Sequence, residues 1–394
     1  MACQWKGGLA RRDRETSGTA CIGRVCRAAC RLHLRQISLR LVTPQFAYDV
    51  SRTWEANAES GPFLASPTTP VPETPMKTFL GLPVRSRLGI AAGLLLNGRW
   101  VRAYAERGFD LLTYKTVRSA ARPCHPMPNW VWIDDSGNAS GPVVATGAIP
   151  GDLTRLSSAV CFGMPSMHPE HWRSDVRSTV SALRPGQLLI VSVVGTPRAS
   201  GSIEDLAEDF ARCATWAAEA GAPVIEANLS CPNVCSSEGT LYLDADATHR
   251  VVRRIRDAIG RVPLLVKIGV LPGDVARQRF LDSVSGLVDG ITLVNCIARP
   301  VLHPDGSPVF GEGFRTVGVL GRTLHEPSVV AVASLRQALD RRGLRLALVA
   351  VGGASTREDI ADFFGVGADA VLCGSSPMYL PDLAIEAKRH HPEW

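Results

Sequence analysis

Eight short, β-rich apolar runs, separated by longer stretches of helical composition, constrain this chain more than any other feature of it. The runs are Leu88–Ala92, Asp110–Lys115, Leu188–Gly195, Ala222–Leu229, Leu264–Gly269, Gly290–Asn295, Leu346–Gly352 and Ala370–Gly374. Helical stretches fall at Asn97–Arg107, His168–Leu183, Ile203–Ala220, Ala247–Ile259, Pro272–Val284, Glu326–Arg342, Thr356–Phe364 and Pro381–Lys388. Strands that are apolar on both faces and joined by crossover helices belong in a parallel sheet covered on both sides. Eight such repeats in roughly 310 residues predict an α/β chain folded as a (β/α)8 TIM barrel. A doubly wound open sheet is the alternative, but the first strand-to-helix turn, Ala91–Gly98, lacks the G-x-G-x-x-G of a dinucleotide fold.

Outside the repeats the chain divides simply. Residues 1–37 show no periodicity and are expected to form a disordered basic segment; residues 38–77 read as an N-terminal extension and linker, and 78–394 as the barrel. Ser60–Pro75 carries five prolines. Arg31–Val42 sets leucines and an isoleucine among arginines, which suits a short amphipathic segment packed on the body or resting on a membrane surface. The formal charge of +6 is local: residues 1–40 hold nine of the 43 Lys/Arg and two of the 37 Asp/Glu, leaving 34 basic and 35 acidic residues elsewhere. A neutral body excludes nucleic acid as the expected partner.

The eleven cysteines include no Cys-x-x-Cys pair, and Cys21, Cys26 and Cys30 come nearest to zinc spacing in a segment without other signs of folding. No metal site is expected. Reduced cysteines in apolar runs, such as Cys213 and Cys373, point to the cytoplasm. No apolar stretch approaches the 18 or so residues of a membrane span, so any membrane contact is expected to be peripheral.

In a parallel barrel the working residues stand at the carboxyl ends of the strands. There the sequence offers Gly93, Lys115, Ser192, Asn228 with Cys231 and Asn233, Lys267, Asn295, Gly352 with Gly353, and Gly374 with Ser375. Glycine pairs after the seventh and eighth strands suit a phosphate cradle, and two lysines at the same mouth suit an anionic cofactor. The hexapeptide NLSCPN (Asn228–Asn233) combines two carboxamides, a hydroxyl and a thiol. Alone it reads equally as a decorated turn; at a barrel mouth Cys231 becomes a proton-transfer candidate. Val117–Ala159, the longest non-helical insertion, follows the second strand and is expected to overhang that mouth.

Assembled in order, GIAAG (Gly89–Gly93), TYKT (Thr113–Thr116), NLSCPN, VKIG (Val266–Gly269), VNCIA (Val294–Ala298), VGG (Val351–Gly353) and CGS (Cys373–Ser375) make the chain resemble the dihydroorotate dehydrogenase family from about Leu80 to Ser376. The resemblance implies an FMN-dependent oxidation of dihydroorotate to orotate in pyrimidine biosynthesis. By position, Cys231 matches the catalytic base of the soluble class. Ala92, Gly93, Lys115, Thr116, Lys267, Asn295, Gly321, Gly352, Gly353, Gly374 and Ser375 match cofactor-binding positions. Lys115, Asn228, Asn233, Asn295 and Cys296 match substrate-binding ones. Soluble members are often homodimers; the electron acceptor, whether fumarate, a quinone or NAD through a partner subunit, is left open.

The chain departs from the pattern in its substrate loop. Where the family has an N-S-M-G-x-P-N-like segment, this chain reads VCFGMPS (Val160–Ser166), so the first carboxamide is replaced by Val160. One substrate bond is therefore missing, or is supplied by Cys161 or Ser166. That change keeps two alternatives open: a dihydropyrimidine dehydrogenase-like flavoprotein acting on another cyclic ureide, and an FMN-binding barrel without turnover.

Overall fold

All eight apolar runs become strands of one closed parallel barrel. The computed structural model describes residues 46–65, 69–134, 141–198, 201–230 and 239–394, so the expectations for residues 1–37, for Arg31–Val42 and for Cys231 and Asn233 lie outside the described residues. The compact unit containing the barrel runs from Pro44 to Trp394.

The described chain begins near α1 (Trp54–Ser60) and a hairpin of β1 (Lys77–Phe79) and β2 (Leu82–Val84). Barrel strands are β3 (Leu88–Ile90), β4 (Leu111–Val117), β8 (Leu188–Val193), β9 (Val224–Asn228), β10 (Leu264–Lys267), β11 (Gly290–Leu293), β15 (Ala347–Val351) and β16 (Ala370–Cys373). Covering helices are α2 (Gly98–Ala105), α3 (Pro169–Ala182), α4 (Ile203–Glu219), α5 (Ala245–Ile259), α6 (Gly273–Val284), α7 (His325–Arg341), α8 (Arg357–Gly365) and α9 (Leu383–His390). Their starts are written locally. Asn97, Ser202 and Asp244 accept from the first-turn amides of α2, α4 and α5, and Thr356 with Asp359 closes a capping box on α8.

Strand registers fix how the interior is layered. Thr113 pairs with Ile190 and Ile190 with Val224, two residues below Glu226; the same two-residue step recurs from Glu226 to Thr292, from Thr292 to Leu372 and from Leu372 back to Thr113. Four such steps close the ring with the shear of eight that a (β/α)8 barrel requires, and inward side chains stack in layers of four from alternate strands. The β1–β2 hairpin plugs the amino-terminal end, where Phe79 and Val84 cluster with Leu111 and Leu188.

The sequence reading did not resolve a second sheet. It is built from β5 (Trp130–Asp134), β6 (Val143–Thr146), β7 (Ser157–Val160), β12 (Ile297–Arg299), β13 (Val301–Leu302) and β14 (Val317–Gly321), in the order β12-β14-β7-β5-β6-β13. Three of these strands come from the insertion expected over the mouth, and the other three follow β11. Residues 46–65 also join the body: Ala47 N donates to Met378 O at 2.7 Å, and Asn97 Nδ2 donates to Ala58 O at 2.7 Å. At the opposite end, α9 is pinned by a buried ion pair in which Lys388 Nζ lies 2.5 Å from Asp110 Oδ2, with Ser86 Oγ donating to the same oxygen at 2.6 Å.

Candidate active site

The register places Ala91, Ser192, Lys267 and Val351 in one inward layer, with Lys115, Asn228 and Gly374 in the next layer towards the carboxyl ends. Above them opens a cavity, part of it open to solvent. Of the residues singled out in the sequence, Ala92, Gly93, Lys115, Thr116, Asn228, Lys267, Asn295, Cys296, Gly374 and Ser375 line it.

The polar floor is tied together. Thr116 Oγ1 and Ser192 Oγ lie 3.0 Å apart, and Asn228 Nδ2 donates to Thr116 Oγ1 at 3.3 Å and to Met164 Sδ at 3.7 Å. Asn228 Oδ1 accepts from Ser230 N at 3.2 Å and from Asn295 Nδ2 at 3.3 Å; Asn295 Nδ2 also donates to Ser230 O. Thus both carboxamides commit their N–H groups to the protein. Lys267 Nζ donates to Ala92 O at 3.3 Å, which sets a buried cation beside the turn after β3. Lys115, also buried, adds a second cation to the same floor.

The rest of the lining is largely apolar, and Leu94, Trp130, Val160, Phe162, Met164 and Leu320 form its wall. Val160, Phe162 and Met164 belong to the substrate-loop segment singled out in the sequence, whereas Trp130 and Leu320 were not identified from it, although the alternation in WVWI (Trp130–Ile133) marks a strand with both tryptophans on one face. Tyr48 and Phe162 flank Trp130 with ring centroids at 5.0 and 5.8 Å, which joins residues 46–65 to the cavity wall. Buried Arg118 holds the loop behind it, its Nε donating to Met164 O at 3.1 Å and its Nη1 to Gly195 O at 3.1 Å. Met164 adopts φ 53°, a left-handed conformation that a non-glycine residue keeps only where its surroundings impose it.

Val160 faces the cavity, as the sequence pattern predicts. Neither proposed substitute replaces its missing carboxamide. Cys161, just past the end of β7, is buried in the cluster of Ile133, Val143 and Val319, while Ser166 Oγ accepts from Arg118 N at 3.0 Å and donates to Met167 O at 3.0 Å.

Gly321, Gly352 and Gly353 do not line the cavity; they let three segments meet behind it. A Cβ on Gly353 would fall 2.6 Å from His325 N and 2.8 Å from Gly321 O, and one on Gly352 would fall 2.0 Å from Ser328 Oγ. Gly93 and Gly374 differ, because a Cβ at either would meet nothing within 4 Å. Nearby, His325 Nε2 lies 2.9 Å from Asp362 Oδ2, and Asp359 pairs with Arg322 while accepting from Ser355 N at 2.9 Å and Thr356 N at 3.0 Å. That cluster is spent on joining α7 to α8. Among the described residues, no helix is long and apolar enough to cross a membrane.

A parallel (β/α)8 barrel with two lysines, linked carboxamides and open glycine backbone at its carboxyl-terminal mouth carries its polar groups where barrel enzymes carry their active sites. Residues 169–387 match the family model described as dihydroorotate dehydrogenase. A dihydroorotate dehydrogenase of Dictyostelium discoideum is 32% identical over 360 residues, covering 86% of this chain and 95% of that protein. A dihydroorotate dehydrogenase (quinone) of Paracidovorax citrulli is 26% identical over 327 residues, 77% of this chain and 82% of its own length. The DHODH of Eimeria tenella, solved in complex with ferulenol, superposes with a TM-score of 0.62 at 18% identity, over 80% of this chain and 82% of that one. The chain belongs to the dihydroorotate dehydrogenase family.

Proposed function

We propose that this chain oxidises dihydroorotate to orotate with FMN as cofactor and Cys231 as the base. The observation that carries the reading is the meeting of Lys115, Lys267 and the Asn228–Asn295 pair on the floor of one apolar-walled cavity. The residues present fit a flavin: Gly93 and Gly374 turn open backbone towards the cavity, and Lys267 sets a buried positive charge beside them. When bound, FMN supplies the hydride acceptor, and negative charge gathers on it when it is reduced.

The chain's own residues bind, orient and move one proton. Gly374 and Ser375, with the turn at Gly352 and Gly353 and with Gly321 behind it, would hold the phosphate end, and Ala92, Gly93 and Thr116 the ring. Lys267 would offset the charge of the reduced state. Lys115, Asn228, Asn233, Asn295 and Cys296 would hold the substrate ring and its carboxylate. Cys231 follows Ser230 directly in sequence, and its Sγ would accept the proton from the substrate carbon. Trp130, Phe162 and Leu320 exclude water from that face of the cavity.

The test is anaerobic. The purified full chain, loaded with FMN, is mixed with dihydroorotate and the flavin absorption is followed; bleaching is expected, and a Cys231→Ala variant is expected to bleach far more slowly. A protein that holds FMN and does not bleach refutes the substrate. Because Val160 makes the wall apolar, dihydrouracil is run beside dihydroorotate, and bleaching by dihydrouracil alone assigns another cyclic ureide. Adding fumarate, NAD or a quinone to the bleached protein identifies the acceptor.

A further inference from the structure

One layer beneath the cavity floor, the barrel interior is polar where a barrel core is ordinarily branched and apolar. The layer consists of Thr113, Glu226, Thr292 and Leu372, drawn from alternate strands by the register. Glu226 shares the inward face of β9 with Asn228 above it and Val224 below, and its relative exposure is 0%. Both of its carboxylate oxygens lack a hydrogen-bond partner, and so do the hydroxyls of Thr113 and Thr292 in the same layer. Three strands thus contribute unsatisfied oxygen to one buried level.

A buried carboxylate without a partner is costly, so its retention calls for a compensating group within electrostatic reach. The layer directly above supplies one. Lys267 stands on β10 next to β9, paired in register with Asn228, and its side chain is also buried. Among the described inward residues of the barrel strands, Lys115, Glu226 and Lys267 are the charged ones. An ionised Glu226 would bring the charge under the cavity from two positives to a net of one.

We propose that Glu226 is a positioning residue that acts through Lys267: its carboxylate, bridged by water held on Thr113 and Thr292, counters the lysine and sets how strongly the site prefers reduced over oxidised flavin. The inference rests on the reading of the cavity as an FMN site and concerns a residue that does not line it. Removing the negative charge leaves Lys267 less countered, which favours the form of the flavin that carries negative charge.

The experiment measures the midpoint potential of protein-bound FMN in the full-length wild-type, Glu226→Gln and Glu226→Asp proteins. Glu226→Gln is expected to raise the ratio of reduced to oxidised FMN affinity about tenfold, ~30 mV for a two-electron couple, while Glu226→Asp stays within twofold of wild type. An unchanged or lowered potential in Glu226→Gln overturns the proposal, as does an equal rise in Glu226→Asp. If the amide variant does not fold, Glu226→Thr extends the layer's own threonine pattern on a strand-compatible residue and carries the same expectation. The two readings fail separately: a wild-type protein that takes up no FMN refutes the cofactor, whereas one that binds FMN with a potential indifferent to Glu226 refutes this inference alone.

Discussion

Val160→Asn returns a carboxamide to the lining position where the chain lacks the first one of its family's substrate loop. Asn228 already commits its N–H groups to Thr116 and Met164, and Asn295 commits its own to Asn228 and Ser230. The floor is therefore poor in amide donors for a ligand, and Cys161 and Ser166 are turned elsewhere. One regained hydrogen bond to a buried polar group of the substrate contributes about 1–3 kcal/mol, a five- to 150-fold lower KM for dihydroorotate. Against it stands the loss of a buried isopropyl group packed with Trp130 and Phe162, roughly 1–2 kcal/mol of stability. Steady-state kinetics on the FMN-loaded proteins separate the effects, because a ground-state contact moves KM more than kcat. Val160→Ala controls for space alone and is expected to leave KM unimproved. A folded, flavin-loaded Val160→Asn protein whose KM is unchanged or higher refutes the assignment of this wall to the substrate.

Three further outcomes follow from the same geometry. Lys388→Met strands the buried Asp110 and is expected to cost about 3–5 kcal/mol in denaturant unfolding at neutral pH, whereas Asp110→Leu with Lys388→Met restores most of it. Burial raises the Asp110 carboxyl above its ordinary value, so its ionised form is the costly one; the deficit of Lys388→Met is present above the folded pKa and shrinks as pH falls through it. Gly353→Ala forces a Cβ to 2.6 Å from His325 N at φ +72°, and is expected to lose FMN on gel filtration while far-UV circular dichroism stays near wild type. Burial pushes the Cys124 and Cys373 thiols each up to about 12, so neither is expected to react with iodoacetamide at pH 8 by peptide mass mapping until denaturant is added.

The barrel was legible because its signal is repeated and local. Each strand is a short apolar run bounded by glycine or a charged residue, and a parallel barrel needs no more than that alternation with helices. The floor followed from it, since a residue at a strand's carboxyl end is placed by the strand: Lys115, Asn228 and Lys267 needed no loop geometry to be assigned to one mouth. The wall was legible only in part. Val160–Ser166 stood out against the family's substrate loop, but Trp130 and Leu320 reach the cavity on strands of a six-stranded sheet whose members are two to five residues long and pair across separations that no local pattern encodes. Gly321, Gly352 and Gly353 illustrate a subtler limit. Their sequence positions suit a phosphate cradle, yet their lack of side chains serves a close approach of backbones behind it.

Floor and wall select a substrate in different ways. Dihydroorotate differs from a neutral dihydropyrimidine by a carboxylate, and a carboxylate moved into an apolar cavity without a partner loses several kcal/mol of solvation. Leu94, Trp130, Val160, Phe162, Met164 and Leu320 return none of that, so an anion must be held from the floor, where Lys115 and Lys267 stand. On the proposed reading, Val160 would weaken the hold on the ring without removing the preference for an anion, because the two depend on different residues of the lining. The same separation orders the variants: Val160→Asn should change the KM for dihydroorotate and for dihydrouracil alike, whereas Lys115→Gln should raise the KM for dihydroorotate at least tenfold and leave that for dihydrouracil within a few-fold. Equal losses on both substrates in Lys115→Gln would mean that this lysine serves the cofactor alone, and that charge selection comes from outside the described floor.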